Sequence, residues 1–245
     1  MTALNTPLPQ PHRSPAREEF VAGLVAILPA MIAAAPIGLL YGALAAQKGL
    51  SPLEVFLTST LVFAGSSQFV ALELWTEPAD WIGLGFAALL VNSRHLLLGA
   101  SLSTKLGLFP RWVIPFAAFP MADENWAMAE RRAATAPLTP AYYAGLSALF
   151  YCGWVLWTTL GSLVGAVVRD PATYGFDFVF TAMFIALLAG FWKGSRTGVV
   201  LAASGLVATL AKLTLPGAWY VLAGALAGIA AAALMFDPAT DGEAA

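Results

Sequence analysis

Between Phe20 and Phe236 the chain is a succession of long apolar windows with few charges inside them. A window of ~20 such residues can satisfy its backbone within lipid only as a helix. The short alternating strands of a membrane barrel are absent. Composition agrees: 59% of the residues are hydrophobic and 11% charged, against ~25% charged in ordinary soluble domains. The reading is an all-α polytopic membrane protein of about seven (six to eight) transmembrane helices, several of them kinked or broken. A net charge of −2 gives no support for a nucleic-acid partner.

One permease domain is expected over residues 20–236, between a disordered cytoplasmic tail, 1–19, and a disordered tail, 237–245. The N-terminal nineteen residues lack the apolar core of a signal peptide. Spans are expected at about Phe20–Ala46, Leu53–Trp75, Asp80–Ser103, Ala141–Val168, Phe176–Trp192, Gly198–Leu213 and Gly217–Phe236. Pro29 and Pro36 should kink or break the first. The stretch 111–130 is shorter; it makes an eighth crossing or folds back into the bundle. The asymmetry of Lys and Arg between loops is small, and the N-terminus is read as cytoplasmic in the inner (plasma) membrane. The lone cysteine, Cys152, reads as a small buried apolar residue.

A shift of about 123 residues lays Gly38-x-x-x-Gly42 on Gly161-x-x-x-Gly165, Glu54 on Asp177, Thr58 on Thr181 and the break at 92–94 on that at 215–217. This suggests repeats over 20–105 and 141–236, inverted as in many secondary transporters. The two Gly-x-x-x-Gly pairs read as helix-packing motifs. Most tryptophans fall near span ends and read as an interfacial belt.

The polar residues inside the apolar windows carry the functional argument. Arg94 and His95 lie in "ALLVNSRHLLLGASL" with Asn92 just before them. An arginine at bilayer depth costs at least ~2.5–3.5 kcal/mol, and such residues mostly mark substrate or proton paths. Asn92 and His95 share a helix face; Arg94 points elsewhere unless the helix unwinds there. Asp123 or Glu124 is the expected counter-ion, with bonding to backbone carbonyls alone as the alternative. Gln68, in "AGSSQF", is expected to share one water-accessible cavity with Asn92, while Gly65, Ser66 and Ser67 read as packing residues. An imidazole ordinarily titrates near ~6.5, so His95 is the first candidate for a coupled proton and the acids the second. No metal-ligand spacing, nucleophile elbow or phosphate-cradling loop occurs, and no cofactor is implied.

The ordered segments "PIGLLYGALA", "LVFAGSSQFVA", "NSRHLLLGASL" and "MADENWAMA" resemble those of the azaleucine-resistance (AzlC-type) proteins across the whole span region. The resemblance implies the large permease subunit of a branched-chain amino acid exporter, working with a small AzlD-type membrane subunit and apparently using the proton gradient. It places Gln68, Asn92, Arg94, His95, Asp123 and Glu124 at the family's polar motif positions. A zwitterion with an apolar side chain needs a cation or helix N-terminus for its carboxylate, an acid or carbonyls for its amine and an apolar pocket. A same-fold permease for another small solute is the nearest rival, and a membrane-embedded enzyme using His95 with Asp123 a remote one.

Overall fold

The computed structural model describes residues 15–76, 78–167, 194–215 and 219–235, with 185, 189 and 192. Apart from those three residues, the expected span 176–192 lies outside these, as do residues 1–14, the tail 237–245, Asp177 and Thr181. Every described element is a helix. Four stretches are long and apolar enough to cross a membrane: Ala16–Gln47, Trp81–Ser103, Pro140–Gly165 and Ser195–Thr214.

Helix α1 runs Ala16–Gln47. It begins four residues before the expected boundary, and Glu18 and Glu19 sit in its first turn, where they complement the helix dipole. The reading of 16–19 as disordered tail is therefore corrected. Pro29 and Pro36 lie inside α1 without breaking it. Helix α8, Pro140–Val167, is its main partner. The two run in the same direction: Gly23 faces the backbone of Tyr142 and Leu146, Gly153 faces Met31, and Gly42 faces the backbone of Thr158 and Ser162. A Cβ on most of these glycines would strike the opposite backbone, so their absence is what lets the helices touch. The expected packing role of the two Gly-x-x-x-Gly pairs is met here, against each other. Cys152, expected to be buried, is exposed on α8.

The second apolar window, Leu53–Trp75, was expected to cross and does not. It folds into a hairpin of α2, Pro52–Leu61, and α3, Gly65–Glu73. Ser51, Pro52 and Glu54 start α2 with a complete capping box. Gln68 on α3 bonds Ser59 on α2, and Tyr41 meets both Thr58 and Phe69. On one continuous helix, nine residues would separate Gln68 from Ser59 by ~13.5 Å. The turn passes through Phe63, whose φ of 41° lies in the left-handed region.

Helices α4, Trp81–Asn92, and α5, Arg94–Ser103, form the next crossing, interrupted at Ser93 alone. It descends toward the end at which α1 begins, here called the N-side. Trp81 meets Trp75 at the top, and Lys105 below α5 meets Glu130. Helices α6, Ile114–Ala118, and α7, Asp123–Ala133, then make a second hairpin. Both of its ends lie at the N-side, where Phe109 packs on Tyr143 and Arg132 on Tyr142. Its tip reaches Tyr151 through Phe119. The 111–130 stretch therefore folds back rather than crossing. Helices α9, Ser195–Thr214, and α10, Trp219–Leu234, pack on each other and reach α3 and α4 through Lys212–Glu73 and Trp219–Phe86.

The 123-residue shift superposes α1 on α8, which run in the same direction, so that shift does not supply the opposed helices an inverted repeat requires. Opposed units do occur at a shorter spacing. Crossing α1 and the α2–α3 hairpin run one way; crossing α4–α5 and the α6–α7 hairpin run the other. Gly49, Leu50, Pro52 and Ala64 correspond to Gly107, Leu108, Pro110 and Ala122, each pair 58 residues apart. Two hairpins thus enter from opposite faces, and their tips meet half-way along α1 and α8.

Candidate substrate site between the hairpin tips

A cavity of about 600 Å³ lies where the tips meet. Gly65 and Ser66, Arg94 and His95, and Asp123 and Glu124 line it. These are the first residues of α3, α5 and α7. The N-termini of α3 and α7 open on the space, whereas α5 continues α4 through Ser93, whose own backbone is helical. No cap side chain bonds the first turn of α3 or α7, so their dipole ends favour negative charge in the cavity. The remaining wall is apolar or small, with Ile37 from α1, Phe63 and Phe69 from the first hairpin, and Phe150 and Trp154 from α8.

Arg94 and His95, adjacent at the interruption, both line the cavity. Leu96 N–H bonds Ser93 O there, and the long Arg94 side chain reaches across the space to both hairpins. One Arg94 Nη donates to Asp123 Oδ2 at 2.6 Å, and the other donates to Ser66 Oγ at 2.7 Å. The guanidinium thereby ties the broken crossing to both hairpins. Of the two expected counter-ions the structure selects Asp123. Glu124 also faces the cavity and makes no salt bridge among the described residues. The His95 ring lies between two carbonyl oxygens, with Nδ1 3.3 Å from Asn92 O and Nε2 3.2 Å from Met121 O.

Gln68 and Asn92 do not share this cavity, contrary to expectation. Gln68 is 3% exposed. Its Nε2 donates to Ser59 Oγ at 3.0 Å, and its Oε1 accepts from Trp154 Nε1 at 2.9 Å. Thr158 Oγ1 donates to the same Ser59 oxygen at 2.8 Å. The amide is thus consumed inside the protein, where it fixes the indole that forms the cavity wall. Asn92 Nδ2 donates to Ser67 Oγ at 3.1 Å, holding the crossing against α3. The polarity of Gln68 is thus accounted for by protein neighbours; Asn92 has its Nδ2 satisfied, while its buried Oδ1 has no partner among the described residues.

Several residues that matter were not singled out from the sequence. Ser66, read as packing, accepts from Arg94. Asn125, fully buried, closes the tip of the second hairpin: its Oδ1 accepts from Ala122 N, and its Nδ2 donates to Pro120 O and Ser147 Oγ. A usable signal lay in the run Asp123-Glu124-Asn125 after Pro120, which pairs a helix-breaking residue with a residue that caps well. Trp154, mid-way along α8, is 6% exposed in the core.

With that geometry in view, comparison with known proteins becomes informative. The AzlC protein family matches residues 29–168, which contain α2 to α7 and both hairpin tips. The chain belongs to the AzlC family. An uncharacterized membrane protein of Archaeoglobus fulgidus is 33% identical over 214 residues, covering 85% of this chain and 92% of that one. The inner membrane protein YgaZ of Escherichia coli is 29% identical over 238 residues, 92% of this chain and 93% of YgaZ. The branched-chain amino acid transport protein AzlC of Bacillus subtilis is 29% identical over 185 residues, 74% of this chain and 70% of its own length. No solved structure matches. As an AzlC protein the chain is an integral protein of the inner (plasma) membrane in a transport family.

Proposed function

We propose that this AzlC protein is the large subunit of a two-component, proton-coupled exporter of branched-chain amino acids, and that the cavity between the hairpin tips is its substrate site. The observation that carries the reading is the joint approach of two helix N-termini, Arg94 and an acid to one space with a largely apolar wall half-way through the bundle. A zwitterion fits that distribution. Its carboxylate takes the leading N–H groups of α3 and the guanidinium's outer edge. Its ammonium takes Glu124, the acid that Arg94 leaves unpaired. A branched aliphatic side chain lies against Phe63, Phe69 and Trp154. A volume of about 600 Å³ lies within the ~300–1,000 Å³ usual for small-molecule sites. Bacillus subtilis AzlC, named as a branched-chain amino acid transport protein, supports the substrate class. The partner is a small AzlD-type membrane subunit.

The test is efflux of labelled leucine, isoleucine and valine from proteoliposomes holding this chain with its small partner, with and without a pH gradient. Efflux driven by the gradient is expected. Arg94→Gln, which gives up charge-assisted bonds worth ~1.5–3 kcal/mol, should weaken apparent affinity about tenfold or more. Absence of movement for all three amino acids, with another small solute carried instead, would overturn the substrate assignment.

A further inference from the structure

We infer that His95 is the proton-binding site of this carrier, and that its charged form fastens the tip of the second hairpin to the broken crossing. The inference rests on the proton-coupled reading above and adds the group and the device. Both ring nitrogens of His95 face backbone carbonyl oxygens, Asn92 O on one side and Met121 O on the other. A carbonyl oxygen only accepts. A neutral imidazole has one N–H and one bare lone pair, so it can serve one of the two and turns its lone pair toward the other. An imidazolium has two N–H groups and serves both. This environment therefore reads the proton directly.

The two acceptors belong to different parts of the molecule. Asn92 O is released at the interruption, because Leu96 N–H bonds Ser93 O. Met121 O belongs to the second hairpin's tip, two residues before α7 begins. A proton taken from cavity water onto the ring completes a bridge between them. Its return to water leaves one of the two contacts without a donor. No other bond changes, so the step balances as binding and release of a proton.

The surrounding charges are few. On its own helix, the neighbouring Arg94 opposes the imidazolium. From α7, Asp123 and Glu124 favour it, and Asp123 is already shared with Arg94. The segments of α1, α3 and α8 that line the cavity bring no acid or base to it. An incoming ammonium at Glu124 takes up one of the two acids that favour the charged ring. Substrate and proton are thereby set against each other within one cavity, as exchange of one for the other requires.

The test combines a conformational and a transport measurement on the same chain. In a Cys152→Ser background, Ala122→Cys places a single thiol at the hairpin tip. Its labelling by a water-soluble reagent is followed in proteoliposomes between about pH 5 and 8. Thiol ionisation speeds labelling as pH rises in any background, so the same series is run with His95→Gln as the reference slope. The expected result is labelling several-fold slower at the acidic end than that reference allows. The transport arm is expected to show gradient-driven efflux and leucine exchange with His95, and exchange alone with His95→Gln. Equal slopes in the two backgrounds would overturn the inference. Different slopes without any leucine movement would uphold the proton device and overturn the substrate assignment instead. Should His95→Gln fail to fold, ring-nitrogen spectra decide on a chain carrying the native residue at 95. The chain holds two histidines, and His12→Gln leaves only His95 to observe. Both ring nitrogens should gain hydrogen-bonded protons together on acidification; a ring that stays neutral throughout overturns the proposal.

Discussion

Replacing Gln68 by leucine separates a residue that builds the site from one that touches solute. Two bonds disappear. The loss at Ser59 is mild, because its oxygen still accepts from Thr158 at 2.8 Å. A bond between membrane helices is worth ~0.6 kcal/mol on average. The loss at Trp154 is heavier: its Nε1–H, bonded to Gln68 at 2.9 Å, keeps no partner in a residue only 6% exposed. An orphaned buried donor costs ~1–3 kcal/mol. The sum is about 1.5–3.5 kcal/mol of destabilisation. A double-mutant cycle isolates the larger part: Trp154→Phe on top of Gln68→Leu removes the orphan, so the pair should recover ~1–3 kcal/mol relative to additivity. The assay is reversible unfolding of the purified chain in mixed micelles, with leucine binding measured on the folded fraction. The reasoning fails if Gln68→Leu leaves stability untouched but abolishes binding, or if the double variant shows no recovery. Either result would return Gln68 to the cavity as a direct ligand.

Two glycines offer a paired control on packing. Gly42→Val should push α1 off the backbone of Thr158 and Ser162, costing at least the ~1–3 kcal/mol of ordinary overpacking, and should show as loss of folded yield. Gly85→Ala, in a helix interior with open space around the added methyl, should gain ~0.5–1 kcal/mol and raise the melting temperature. At the N-side, Glu19 accepts from Arg132 at 2.9 and 3.0 Å and from Thr139 at 3.0 Å. Glu19→Gln should cost ~1.5–3 kcal/mol for charge-assisted bonds and increase proteolysis at the 134–139 loop, measured by limited digestion.

The sequence carried the architecture further than the topology. Apolar windows identify lipid-crossing material by composition, and composition does not record direction. The Leu53–Trp75 window has the length of a crossing, so its reversal was invisible except in the small residues of "FAGSS". The turn there is forced by a phenylalanine in a conformation that glycine would adopt more readily. Arg94 was legible because an arginine in lipid must be compensated, and the nearest acids in sequence supplied the answer. Gln68 was misjudged because a buried amide needs partners but does not say whether they are protein or solute. Its partners came from nine and eighty-six residues away. The opposed repeat escaped notice because its identities are a handful of residues at turns and caps, where geometry rather than apolarity is selected.

The glycine seam between α1 and α8 has a use as an instrument. Backbone seated on backbone cannot slide or rotate without a clash at Gly23, Gly42, Gly145 or Gly161. The pair is therefore a fixed internal ruler. Spin or fluorescence labels placed one on each of these helices should report a constant distance through the whole transport cycle. A label on either hairpin, read against that baseline, gives displacement in absolute rather than relative coordinates. Even a chain this small can have its motions apportioned to individual segments without a second structure to compare.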